Sequence, residues 1–198
     1  MSFPILTILA LLPLVGGAII LGVKGRSGRA TGLVISTVTA VLGVIAFIAA
    51  ANGTDVSENY HWIKAIGAWY ALSSDGLGMT LVLMTVVLVP VVLLAEWDIG
   101  EKEPSDGPQT WGANVFSGLA LMTEGLAIYC FTAVDVLFFY LIFEASLVPM
   151  YFLISGWGGE RRRRAAIKFL IYSLAGGLVM LFGVIGVGVH GNLSLIHI

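Results

Sequence analysis

The chain has 198 residues, of which 58% are hydrophobic and 11% charged, with a formal net charge of -2. A water-soluble domain carries about 25% charged residues, so this chain cannot cover a water-facing surface of its size and its natural solvent is lipid. Its basic residues sit beside apolar runs rather than along a polar face, which excludes a nucleic-acid-binding surface. The single cysteine, Cys130, closes no disulfide within the chain and builds no metal cluster.

A membrane-spanning helix needs about 20 mostly apolar residues. Six runs meet that length, at residues 3–23, 30–51, 76–95, 112–133, 134–154 and 165–189. They predict an all-α, polytopic membrane helix bundle of about six transmembrane helices, occupying residues 1–190. The last residues, 191–198, offer no expected loop-to-helix transition and are read as a doubtful tail. The first run lacks a basic region ahead of it and has its basic residues behind it, the pattern of a retained helix rather than a cleaved signal.

Between the second and third runs, Asn52 and Gly53 supply loop chemistry, and Tyr60, Trp62, Trp69 and Tyr70 read as an interfacial aromatic belt. Asp75 is placed to cap the third helix by accepting from its free amides. No polar loop separates the fourth and fifth runs, but ~40 apolar residues are too long for one span. Asp135 therefore marks a turn, as the N-cap of the fifth helix. In the sixth run Gly176, Gly177 and Gly183 allow close helix approach.

Lysine and arginine in short loops set the orientation. Lys24, Arg26 and Arg29 lie in the first loop, Lys102 in the third, and Arg161, Arg162, Arg163 and Arg164 in the fifth. Alternating six spans puts these loops on one side, with only Lys64 in the second loop opposite. The N-terminus is thus expected outside and the basic loops in the cytoplasm. Glu96, Asp98, Glu101, Glu103 and Asp106 make the third loop acidic, but acidic residues weigh little in this rule.

The stretch from Gly186 through Gly188 to Gly191 matches the spacing of a dinucleotide-binding fingerprint. That motif works only between a strand and the opening of a helix. At the end of an apolar span it is a coincidence of glycines.

Charges inside the spans carry the chemistry. Glu124 lies near the middle of the fourth span and Glu144 near the middle of the fifth. A charge at mid-membrane costs about 2.5–3.5 kcal/mol on insertion scales, and such residues line bundle interiors or wet cavities. The alternative is a hydrogen bond or ion pair that merely holds helices together. Pro149 cannot donate to the carbonyl of Ala145, leaving an unpaired acceptor beside Glu144 where water can enter. Desolvation and a neighbouring cation shift a carboxylate in opposite senses, so a carboxylate with a movable partner loads and releases protons. Lys168, early in the sixth span, is the partner candidate, although its side chain could equally snorkel to the cytoplasmic surface. Measured from the turn near Ala133, Glu124 lies roughly 14 Å and Glu144 roughly 16 Å deep, so the two carboxylates share a level.

Three stretches together form a recognisable pattern. They are residues 135–151, with Asp135, Glu144, Pro149 and Tyr151; Gly156, Trp157, Gly158 and Gly159; and residues 166–172, with Lys168 and Tyr172. Asp75, Gly76 and Leu77 opening the third helix add to it. The pattern resembles the subunit M family of NADH-quinone oxidoreductase, respiratory complex I, called subunit 4 in mitochondria. Cation/proton antiporter subunits share part of it. The resemblance implies a membrane-arm protein of about fourteen helices that translocates protons, driven by quinone reduction in partner subunits. It implies the bacterial plasma membrane, other complex I membrane subunits as partners, and no cofactor of its own, with NADH, flavin, iron–sulfur clusters and quinone held by partner chains. The family's glutamate in the fifth helix maps onto Glu144. The main proton-carrying lysines of the family lie in helices beyond residue 198, so the chain resembles an N-terminal fragment, not catalytic alone. His190 and His197, near the end of the chain, are read as terminal or loop residues.

Three functions remain open at this point: a proton-translocating complex I subunit using Glu144, Lys168 and Glu124; a subunit of a multi-chain sodium/proton antiporter; and a structural membrane scaffold.

Overall fold

The computed structural model describes residues 4–22, 27–63, 68–97 and 111–190. Six helices follow one another: α1 (Ile5–Gly22), α2 (Ser27–Ala51), α3 (Gly76–Ala95), α4 (Ala113–Thr132), α5 (Val136–Trp157) and α6 (Arg162–His190). Each is long and apolar enough to cross a membrane. The helices match the six predicted spans within a few residues at each end, because an uninterrupted apolar run in lipid satisfies its backbone only as a helix. The first loop's Lys24 and Arg26, Lys64, the third loop from Asp98 through Asp106 with Lys102, and the tail at 191–198 lie outside the described residues.

The second connection differs from expectation. It is not an aromatic loop but an antiparallel hairpin of β1 (Glu58–Ile63) and β2 (Ala68–Leu72). Tyr60 pairs with Tyr70 and His61 with Trp69, with an irregularity between His61 and Ile63. Aromatic side chains directly opposite one another stabilise such a pair. Tyr60 and Trp62 remain exposed, as belt residues do, while Tyr70 turns inward against Tyr129 and Phe138.

The predicted caps form. Gly53 takes a positive φ of 82° to close α2, and Thr54 N donates to Ala49 O at 3.0 Å, an arrangement that glycine adopts without strain. Asp75 accepts from Gly78 N at 3.2 Å to start α3. Asp135 accepts from Phe138 N at 2.8 Å to start α5. It also accepts from Trp69 N at 3.2 Å, so one carboxylate joins the α4–α5 turn to the hairpin. Val134 N donates to Ala71 O at 3.0 Å and Ser73 N to Thr132 O at 2.7 Å, making the turn a partial third strand.

Helix α4 is the hub: α1, α2, α3 and α5 all pack on it, whereas α6 packs chiefly on α5. Glycines bring α1 and α4 nearly into backbone contact. A Cβ on Gly17 would lie 2.5 Å from Gly118 O, and one on Gly125 would lie 2.5 Å from Ala10 O. The bundle has two distinct ends. One carries the start of α1, the hairpin and the α4–α5 turn; the other carries Trp111, Trp157 and the arginines at 161–164. The positive-inside rule assigns the arginine end to the cytoplasm and the hairpin end to the outside.

Asp135 is 3% exposed, and removing it strands two backbone N–H groups. Asp135→Ala is expected to lower stability by about 2 kcal/mol and Asp135→Asn by less. Thermal unfolding in detergent, followed by circular dichroism, checks the order.

Candidate functional site: two intramembrane carboxylates

Glu124 sits midway along α4 and is 1% exposed. Its carboxylate lines a cavity of about 320 Å³ bounded by Thr85, Val89 and Val92 of α3, Thr123 of α4 and Leu153 of α5. Both Glu124 oxygens lack a hydrogen-bond partner among the described residues. The two threonine hydroxyls are occupied, donating to Leu81 O and Leu119 O at 2.9 Å each. A buried carboxylate without a partner is costly when ionised. The cavity is roomy enough for water, and Thr85, Thr123 and Glu124 are the polar residues in an otherwise apolar lining.

Glu144 occupies the seam between α5 and α6. Its Oε1 is buried and unpartnered among the described residues. It fits because residue 177 has no side chain: a Cβ on Gly177 would collide with Glu144 Oε1 and would also touch Tyr140 at 3.7 Å. The neighbouring Gly176 has nothing within 4 Å of such a Cβ. Pro149, five residues on, is buried within α5, and its missing N–H frees the Ala145 carbonyl.

Both carboxylates lie at mid-span as read from the sequence, but they face different neighbours: Glu124 points into the α3–α4–α5 cavity and Glu144 into the α5–α6 seam. Nor does the structure bring Lys168 to Glu144. Lys168 is exposed, and no ion pair joins it to Glu144 among the described residues. Gly177, where Glu144 lands, is nine residues further along α6. At 3.6 residues per turn that is the opposite face and about 13 Å along the axis.

A third carboxylate escaped the sequence reading. Glu58, on β1, is 2% exposed. It accepts from Thr7 N at 3.0 Å and from Thr7 Oγ1. Thr7 Oγ1 is 2.6 Å from the Tyr70 hydroxyl, which lies 3.3 Å from the Tyr129 hydroxyl. Burial raises the Tyr70 phenol above its ordinary range, so this proton stays on oxygen. Glu58 stands in a polar stretch of sequence, and only the arrival of α1 and α4 buries it.

Six helices long and apolar enough to span a membrane define a polytopic membrane protein, and comparison with known proteins gives its family. The family described as NADH:quinone oxidoreductase/Mrp antiporter, transmembrane, matches residues 133–198. The NADH-quinone oxidoreductase subunit M of Mycobacterium tuberculosis is 38% identical over 212 residues, covering 93% of this chain and 38% of that protein. The F(420)H(2) dehydrogenase subunit M of Methanosarcina mazei is 32% identical, covering 92% of this chain and 36% of that protein. In the solved respiratory complex I of Thermus thermophilus with bound NADH, one chain superimposes with a TM-score of 0.80 at 29% identity, over 96% of this chain and 37% of that one. The chain belongs to the complex I subunit M/chain 4 family and is an integral membrane protein; it spans a little over a third of the length of the curated relatives it matches.

Gly177 makes Glu144's position testable. Gly177→Ala is expected to displace the carboxylate from α6 and change the rate at which an apolar carbodiimide labels Glu144. Gly176→Ala should leave that rate unchanged. Peptide mapping by mass spectrometry reads both.

Proposed function

We propose that this chain is part of a proton-translocating membrane-arm subunit of an NADH-quinone oxidoreductase in a bacterial plasma membrane. The observation that carries the reading is the pair of mid-membrane carboxylates, Glu124 and Glu144, with unpartnered buried oxygens. Bilayers tolerate such groups chiefly where they serve transport. Glu144 carries the proton at the α5–α6 seam. Its neighbour Gly177 leaves room for the carboxylate, and the Ala145 carbonyl gives water a foothold. Glu124 offers a second station in its own cavity. Lys168 acts on Glu144 only from a distance: at roughly 15 Å and an effective dielectric constant of about 20, a unit charge contributes about 1 kcal/mol. That is enough to bias protonation but not to hold a salt bridge.

Electron transfer belongs to partner subunits, which supply the NADH, flavin, iron–sulfur and quinone chemistry. The Methanosarcina relative is named for a different electron donor, which supports assigning the donor site to other chains. The other complex I membrane subunits and the lipid bilayer are the expected partners. A sodium/proton antiporter subunit is the second reading, favoured by the shared family description.

In membranes carrying Glu144→Gln in the full-length chain, NADH-driven proton pumping is expected to be lost while the complex stays assembled. Normal pumping would reduce Glu144 to a packing residue. Pumping that persists without sodium counts for the complex I reading, and sodium-dependent exchange without NADH counts for the antiporter.

A further inference from the structure

A groove of about 350 Å³ opens where α1, α4 and α5 meet, near the arginine end of the bundle. Its lining is apolar throughout and includes Leu21 of α1, Val115 and Met122 of α4, Val148 and Phe152 of α5, and Trp111 just ahead of α4. Val148 is 53% and Phe152 38% exposed, so the groove is open along a helix that spans the membrane. Its occupant comes from the bilayer and not from water. Depth narrows the choice. From Val115 to Met122 the groove runs seven residues along α4, about 10 Å at 1.5 Å per residue. Met122 stands two residues from Glu124 at mid-span. One leaflet of hydrocarbon is about 15 Å deep, half of a core of about 30 Å. The groove therefore reaches from the cytoplasmic boundary towards the midplane, as one acyl chain of the inner leaflet does.

The rim of the groove is fixed and positively charged. A Cβ on buried Gly156 would lie 2.8 Å from the Trp111 ring, so the missing side chain seats that indole at the boundary, the level indoles prefer. The Trp111 ring stands 5.6 Å from Phe152 and 6.0 Å from Trp157. Trp157 ends α5, and a Cβ on Gly158 would lie 2.8 Å from Arg162 Cβ, so the arginine run begins beside this rim. Arg161, Arg163 and Arg164 are exposed, and no carboxylate pairs with them among the described residues. Residues 160–164 set four arginines against one glutamate, Glu160. Glu96 lies at the end of α3, a helix that lines no part of the groove. Guanidinium groups match phosphate oxygens in pairs.

We propose that this groove is a binding site for an anionic phospholipid of the cytoplasmic leaflet, with one acyl chain lying along α4 and α5 beneath Trp111 and the phosphate held by Arg161, Arg163 and Arg164. A further apolar segment of protein could also cover such a groove, but it would give the arginines nothing to neutralise them. A phospholipid supplies both halves at the right separation, hydrocarbon below the indole and negative charge above it. The inference goes beyond proton translocation and does not rest on it.

The test uses the assembled complex with the full-length chain in lipid nanodiscs. Two phospholipid probes carry the same photoactivatable diazirine in mid-chain, one with a phosphoglycerol headgroup and one with phosphocholine, each at the same fraction. Peptide mapping by mass spectrometry reads the label on Val148 and Phe152. The anionic probe is expected to label these residues about tenfold more than the zwitterionic one, since each basic residue at the surface favours anionic lipid by a severalfold factor. Replacing Arg163→Gln and Arg164→Gln together should bring the ratio close to one, while Arg161 and Arg162 remain to hold the topology. The corresponding lysine substitutions keep the charge and should recover most of the preference. Val148→Trp fills the groove and should remove label by both probes from Phe152. Equal labelling by the two probes in the unaltered protein means bulk lipid only and overturns the inference. Absence of label from both probes there means that protein covers the groove, and overturns it equally. Neither outcome depends on how a variant folds.

Discussion

The close antiparallel contact between α1 and α4 sets the register of the whole bundle. Gly17 meets Gly118, and Ala10 meets Gly125. The spacing is seven residues on each helix, so the two contacts lie two turns apart on one seam. Without Cβ atoms in the way, the backbones approach closely and dispersion accumulates along the seam, which is the main attraction between helices in lipid. The same register, carried three residues (a little under one turn) past Ala10, puts Thr7 level with the α4 turn that carries Tyr129. The hydroxyl chain at the hairpin end is thus a consequence of glycines deep in the membrane. With α4 fixed on one side by α1, its opposite flank is free to hold Glu124 against α3 and α5.

The hairpin solves a different problem. The α4–α5 turn sits where the bilayer gives way to water, and its backbone groups need partners. Strand β2 and the residue that follows it supply them through Ala71 O and Ser73 N, and Asp135 answers Trp69 N. Local caps and long-range pairing therefore converge on a few residues, which is why a single carboxylate there has an effect out of proportion to its size.

The helices were legible because lipid allows so few alternatives: an apolar run of sufficient length, bounded by glycine, aspartate or arginine, has one structural outcome. Glu124 and Glu144 were legible for the same reason, since a charge in such a run stands out by cost alone. The hairpin was not, because strand pairing is non-local and the aromatic residues of β1 and β2 are equally at home in an interfacial loop. Glu58 was invisible in sequence, as a polar residue among polar residues whose burial depends on helices distant along the chain. The pairing of Glu144 with Lys168 looked reasonable from loop length and depth, but it depended on the rotation of α6 about its axis. Gly177 settles that rotation by accepting the carboxylate.

The α1–α4 seam also has a temporal side. Gly17 and its counterpart Gly118 are separated by about a hundred residues of synthesis, which at ~5–20 residues per second amounts to roughly 5–20 s. Through that interval α1 waits in the bilayer with its small-residue face uncovered, while α2 and α3 follow it in. Assembly of this chain is therefore ordered by the ribosome: α1 is completed by α4, and whatever shelters α1 meanwhile, whether lipid or the insertion machinery, has to be displaced when α4 arrives.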